Sequence, residues 1–238
     1  DERLRQVFTF QPLLVGGSPF RVTSIYTLIH WLERTWGVHF AKGGTTALVH
    51  GLVKLFEDVG GEVQYNAAVE EIEVENGQAV AVRLESGERI PCRFVVSNAD
   101  PSFVYGKMIA ARHRRKHTDN AVARKHQSMS LLVAYFGTDR TYEDLAHHTI
   151  VLGPRYKGLL DDIFTKKVLS EDFSLYLHAP TRSDPSLAPE GCENFYVLSP
   201  VPNQKSGVNW EEEGERYLER VFAELERRGV PGLRDHLV

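Results

Sequence analysis

Residues 43–84 read GGTTALVHGLVKLFEDVGGEVQYNAAVEEIEVENGQAVAVRL. Two periods follow one another in this stretch. Between Thr45 and Val59, the residues Leu48, Leu52, Leu55, Phe56 and Val59 recur at helical spacing, which makes one apolar face of an amphipathic helix. Gly60 and Gly61 end it. Beyond a short strand expected over residues 62–66, Val69–Glu75 and Gln78–Leu84 flank Asn76-Gly77, the strongest short hairpin signal. A further turn at Ser86-Gly87 leads to Ile90 and to the apolar run Phe94-Val95-Val96, read as a strand that stops at the polar loop 97–101. The fold class read from this order is α/β, as an α+β mix.

Two more helices are expected outside this stretch. Ile25, Leu28, Ile29 and Leu32 share one face of a helix over residues 24–35, with Ser24 as N-cap. Trp31 and Trp36 beside it are expected in the core, with a membrane- or ligand-facing position as the alternative. Gly214, Tyr217, Leu218, Val221, Phe222 and Leu225 form the inward stripe of a helix from Trp210 to Arg228. Asn209 with Glu212 reads as its capping box, Glu212–Arg216 and Glu224–Arg228 as pairs on its wet face, and Gly229 and Pro231 as its stop. Four strand-like runs, 130–136, 148–152, 173–178 and 194–199, surround a helical stretch at 159–164 and predict an antiparallel sheet with its own helices. A boundary is expected near residues 100–111. No internal repeat is present.

The chain has 238 residues, 42% hydrophobic and 25% charged, with 28 Lys and Arg against 32 Asp and Glu. That balance excludes a disordered tail, a collagen-like repeat and an integral membrane bundle. It also argues against a general nucleic-acid binder, which needs a basic face. Cys92 and Cys192 are a hundred residues apart with no CxxC, and are read as two reduced thiols that suggest a reducing compartment. The apolar stretch from Phe10 to Phe40 is interrupted by Arg21, His30, Glu33 and Arg34 and cannot span a bilayer.

Catalytic signatures of the usual kinds are absent: no GxSxG, HExxH, P-loop or GxGxxG. His147 and His148 are read as strand neighbours on opposite faces, unable to serve one site, and no metal-ligand set is expected. Asp161 and Asp162 diverge on a helix and make no carboxylate pair. The run Arg112 to His117 is read as a solvated basic helix face. Gly43-Gly44 at a helix start is the one local feature that suggests a ligand approaching bare backbone N–H groups.

Several separated segments together resemble bacterial phytoene desaturases. They include Leu14-Val15-Gly16-Gly17-Ser18-Pro19-Phe20, Ser24-Ile25-Tyr26-Thr27-Leu28-Ile29-His30, Gly43-Gly44-Thr45, Val95-Val96-Ser97-Asn98-Ala99-Asp100 and Tyr135-Phe136-Gly137. The most specific is Leu145-Ala146-His147-His148-Thr149-Ile150 leading to Gly153-Pro154-Arg155-Tyr156, followed by 172–178, 184–189 and 195–202. The match runs in order along nearly the whole chain.

The resemblance implies an FAD-dependent carotenoid desaturase. Such an enzyme would remove hydrogens from phytoene toward neurosporene or lycopene, passing them to flavin, with oxygen or a membrane quinone as final acceptor. It would be cytoplasmic and peripheral to the membrane. The implied architecture is part of a FAD-binding Rossmann-like domain with an inserted β-meander, plus a substrate domain of antiparallel sheet and helices. On that basis residues 1–40 form a substrate- or membrane-proximal helical segment, 41–104 a partial FAD-binding domain and 105–238 the substrate-binding domain. Val69, Gly43, Gly44, Asn98, Ala99 and Asp100 are the expected cofactor contacts. His148, Arg155, Tyr135 and Tyr176 are expected on the substrate side, and no catalytic residue is assigned. The family's GxGxxG turn and its C-terminal glycine-rich flavin segment are both missing, and the chain opens on Asp1, so an internal fragment that binds FAD weakly or not at all is expected. Alternatives are a related carotenoid isomerase or oxidase, or a non-catalytic isoprenoid-binding protein of the same fold.

Overall fold

The computed structural model describes residues 1–238. Its helices are α1 (Glu2–Thr9), α2 (Leu28–Trp36), α3 (Gly44–Asp58), α4 (Pro101–Phe103), α5 (Asp119–Ala123), α6 (Tyr156–Asp161) and α7 (Trp210–Arg228). Its strands are β1 (Val69–Glu75), β2 (Gln78–Leu84), β3 (Arg89–Pro91), β4 (Ser130–Thr138), β5 (His148–Val151), β6 (Leu175–His178) and β7 (Glu193–Val201). They form two antiparallel sheets, β1-β2-β3 and β4-β7-β6-β5, so the mixed α/β expectation holds. The chain divides into two compact units, residues 1–51 with 128–238, and residues 52–127.

In the second unit the hairpin forms as its sequence dictates. Asn76 and Gly77 both take positive φ, 49° and 82°, the left-handed pair that matches strand twist in a two-residue turn. Ile72, Ala81, Leu84 and Val104 are its buried apolar residues. Arg83 reaches Glu70 and Glu71 across the strands, and Arg89 reaches Glu73. Two expected strands are absent. Residues 62–66 and 94–96 pair with no strand, and Phe94 and Val96 are 88% and 98% exposed. An apolar run becomes a strand only where a neighbour takes its N–H and C=O groups. The basic run 112–117 is not one wet helix face either. Arg114 is buried against Asp119, and His117 stacks on Tyr105 with centroids 3.9 Å apart.

In the first unit the four-stranded sheet carries α7 on one face. Along β4 the even-numbered residues Leu132, Ala134 and Phe136 point to α7, and β6 and β7 add Leu175, Leu177, Phe195 and Val197. Tyr217, Val221, Phe222 and Leu225 of α7 meet them, while Leu218 is partly buried and Gly214 adds no side chain. Ser199 Oγ and Tyr217 OH, 2.9 Å apart, satisfy each other inside this layer. Asn209 caps α7, but its side chain accepts from the N–H of Glu211. Arg216 pairs with Glu213 at 3.5 Å, not with the expected Glu212, whereas the expected Glu224–Arg228 pair forms at 3.4 Å. These exposed pairs contribute little, and the buried stripe holds the helix.

The N-terminal helices differ from expectation. The first turn over Ser24–Thr27 is a 3-10 helix that continues into α2. Trp31 and Trp36 pack edge to face on each other, with centroids 5.5 Å apart, but are 55% and 65% exposed and not core. Leu4, Val7, Phe8, Ile25 and Leu28 are exposed as well. Gly153 is required by a close approach, since a Cβ there would sit 2.3 Å from the carbonyl oxygen of Phe173. Leu225→Ala is expected to lower unfolding stability by about 2–5 kcal/mol, the cost of a cavity under the sheet, and Leu48→Ala, on an exposed position, by under ~0.5 kcal/mol. Urea denaturation followed by circular dichroism distinguishes the two.

Candidate functional site

The face of the four-stranded sheet away from α7 is open along β4 and partly covered elsewhere by Phe10, Leu13 and Phe40, and pairing register decides what it displays. Tyr135 pairs with Tyr196, Tyr196 with His178 and His178 with His148, so one row of four rings crosses all four strands. The next row is Val133, Leu198, Tyr176 and Ile150. Leu131 and Pro200 follow on β4 and β7. Side chains alternate along each strand, so these residues share a face because their partners in the core share the other. The ring row is continuous: centroids lie 5.6 Å apart for Tyr135–Tyr196, 4.4 Å for His178–Tyr196 and 5.5 Å for His148–His178.

Below the row lies a small open recess of about 80 Å³. Its lining includes Phe10, Leu13, Leu131, Ile150, Leu198 and Pro200, with Ser174 and Tyr176 the only polar side chains and no charged group. Such a wall favours a ligand made of carbon and hydrogen, because it offers nothing to replace the water around a charge.

At one edge of the row three histidines converge. His147 Nε2 is 2.8 Å from His178 Nε2, His147 Nδ1 is 2.6 Å from Ser183 Oγ, and His148 Nδ1 is 2.7 Å from Tyr176 OH. This corrects the expectation that His147 and His148 diverge. His147 lies just before β5, where its carbonyl accepts from the Ala179 N–H, so strand alternation does not govern it. A nitrogen pair at 2.8 Å needs one lone pair, so both rings cannot be cationic. Burial, and then the neighbouring His147 and His148, push the His178 pKa down to about 4. Burial lowers His147 and His148 as well, opposed at His148 by Glu33. Tyr176 is pushed up, first by burial and then by Tyr196, and stays protonated.

The other candidates lie elsewhere. Arg155 is engaged by Asp162 at 3.0 Å, Asp172 at 2.7 Å and Ser170 at 3.2 Å, a network that ties α6 to the loop before β6. Its carboxylate partners hold its pKa up, and Asp162 is held down, first by Lys166. Gly43 and Gly44 have φ of 80° and 73°, yet neither N–H is bare: Gly43 donates to Asp184 Oδ2 at 2.9 Å and Gly44 to the Ala41 carbonyl. A pyrophosphate at Gly43 would meet that carboxylate, so the local geometry does not fit a phosphate cradle. Gly43 and Gly44 belong to the first unit, and Val69 and residues 98–100 to the second. Val69 opens β1 opposite Leu84. The Ala99 N–H donates to Ser97 Oγ, and Asp100 caps α4 through Ser102 and Phe103 N–H.

Sequence reasoning missed His178 and Tyr196. A signal existed: His178 has the parity of Tyr176, and Tyr196 that of Leu198. Which strands neighbour each other was not legible.

The flavin containing amine oxidoreductase family model matches residues 1–205. The chain is 52% identical over its whole length to a lycopene-forming phytoene desaturase of Pseudescherichia vulneris, covering 49% of that protein. It is 44% identical to a neurosporene-forming phytoene desaturase of Rhodobacter capsulatus, covering 46% of it. The chain thus spans about half the length of the curated relatives it matches. An oxidoreductase structure from Methanosarcina mazei aligns over 94% of the chain and 48% of its own, with TM-score 0.65 and 17% identity, a likeness of fold alone.

A pH dependence follows from His178. Its folded pKa lies below the ordinary histidine value of about 6.5, so the unfolded chain binds more protons between about pH 6.5 and pH 4. Stability is full above that window and falls as pH drops through it. The urea midpoint measured against pH is expected to decline over that range and to decline less in His178→Asn.

Proposed function

The chain belongs to the flavin containing amine oxidoreductase family, and we propose that it supplies the substrate-binding half of a carotenoid desaturase acting on phytoene. The observation that carries this reading is the open sheet face ending in a recess without a charged group. A polyene has no polar handle. Its binding energy comes from burial, about 0.8 kcal/mol for each CH₂ taken out of water, and its position from the shape of the wall. Leu131, Val133, Leu198, Pro200 and Ile150 provide that wall. Tyr135, Tyr196 and Tyr176 add flat faces that suit conjugated carbon.

FAD, when bound, accepts the hydrogens removed from the chain. The residues of this chain bind, orient and exclude water. Substrate positioning is assigned to Tyr135, Tyr176 and His148, and Arg155 to the scaffold that sets α6. Flavin contacts at Val69 and residues 98–100 belong to this proposal. Gly43 and Gly44 contribute backbone shape, because their N–H groups are already engaged.

No helix is long and apolar enough to cross a membrane. We place residues 1–40 against the bilayer surface. Leu4, Val7, Phe8, Leu28, Trp31 and Trp36 are exposed there, with Arg3, Arg5 and Arg34 among them, the pairing of apolar and basic groups that suits a headgroup boundary. A quinone in the membrane or oxygen would then reoxidise the flavin.

The reading is tested with the relatives' full-length arrangement: FAD, phytoene in liposomes, and product carotenoids measured by chromatography. Val133→Asp, at a half-open position on the sheet, is expected to lower kcat/KM by more than ~10-fold with the fold intact, since it puts a charge against hydrocarbon. Unchanged turnover in that variant, or binding of phytoene with no flavin reduction in the parent enzyme, would overturn it. The 238-residue chain alone is expected to emerge colourless from desalting after incubation with FAD.

A further inference from the structure

We propose that His147, His148 and His178 form a three-nitrogen site for a divalent transition-metal ion, with Zn²⁺ as the probe. One ring nitrogen from each residue lies within 4.8 Å of the others. His147 and His178 point their Nε2 atoms at each other across 2.8 Å. Two nitrogens bound to one tetrahedral zinc sit about 3.3 Å apart, so a separation of roughly half an ångström more accommodates the ion.

Outer contacts fix two of the three rings as a metal site requires. Ser183 Oγ holds His147 through Nδ1, and Tyr176 OH holds His148 through Nδ1, leaving Nε2 as the nitrogen each presents. His178 is 8% exposed, and its ring is held by its contacts with Tyr196 and His148 rather than by a partner at Nδ1. The ligand set carries no carboxylate, and all-imidazole sites suit Zn²⁺, Cu²⁺ or Ni²⁺ over Mg²⁺ or Ca²⁺. The Phe40 ring, 4.7 Å from His147, walls one side, and the exposed His148 leaves an entry and a fourth position for water.

Zinc entry breaks the Nε2–Nε2 hydrogen bond. The proton there moves to the Nδ1 of its own ring, so both Nε2 lone pairs face the ion and no proton is released. The bound ion would close one end of the aromatic row.

The test is titration of the untagged 238-residue chain with Zn²⁺ against a chromogenic chelator, and with Co²⁺ followed by visible absorption. The expected result is one equivalent per chain and the ligand-field bands of four-coordinate Co²⁺. His148→Ala, on an exposed ring that folding does not need, abolishes the bands. Ser183→Ala weakens binding by about tenfold. His39→Ala and His50→Ala, exposed histidines elsewhere, leave binding unchanged. No single tight equivalent in the original chain, or equal affinity in His148→Ala, overturns the site. The titration uses no carotenoid or flavin, so its outcome is independent of the desaturase reading.

Discussion

The register of β4, β7, β6 and β5 is the constraint on which the site depends. Pairing Tyr135 with Tyr196, Tyr196 with His178 and His178 with His148 sends one set of side chains to α7 and the other to the open face. A slip of one residue in β7 would exchange its sets and put Tyr196 under α7 and Val197 in the open. The core enforces the register: Val197, Leu177 and Val221 are essentially inaccessible to solvent, and no tyrosine or histidine fits their places without losing a hydrogen-bond partner.

Charges secure the edges of this arrangement and do not line its face. Glu193, at the start of β7, is buried, accepts from the Tyr142 N–H at 2.8 Å and pairs with Arg182 at 3.2 Å, which pins the loop before β5 and the turn after β6 to one strand end. Arg155, Asp162, Lys166 and Asp172 do the same around α6. Removing one partner would leave the other desolvated, so these groups hold shape, and the open face stays free of charge.

Much of the fold was legible because its signals are local. Asn76-Gly77 fixes a turn through its own φ preferences, and the α7 stripe fixes a helix over the observed Trp210–Arg228. What failed depends on distant partners. Residues 62–66 and 94–96 have strand composition but no neighbour to pair with, and Trp31 and Trp36 have core composition but no core above them. The site divides in the same way. Tyr135, Tyr176 and His148 lay on recognisable strands, yet their union with Tyr196 and His178 rests on a strand order that skips from β4 to β7. The convergence of His147 on His148 contradicted strand parity because β5 begins one residue later.

Under the proposed function, hydrocarbon binds on the sheet face away from α7. Photo-crosslinking with a long isoprenoid hydrocarbon bearing a diazirine, mapped by peptide mass spectrometry on the full chain, addresses it directly. Adducts are expected on the β4, β7 and β5 peptides carrying Leu131, Val133, Leu198 and Ile150. Adducts confined to the β1–β2 hairpin or to α7, with none on those strands, would contradict it.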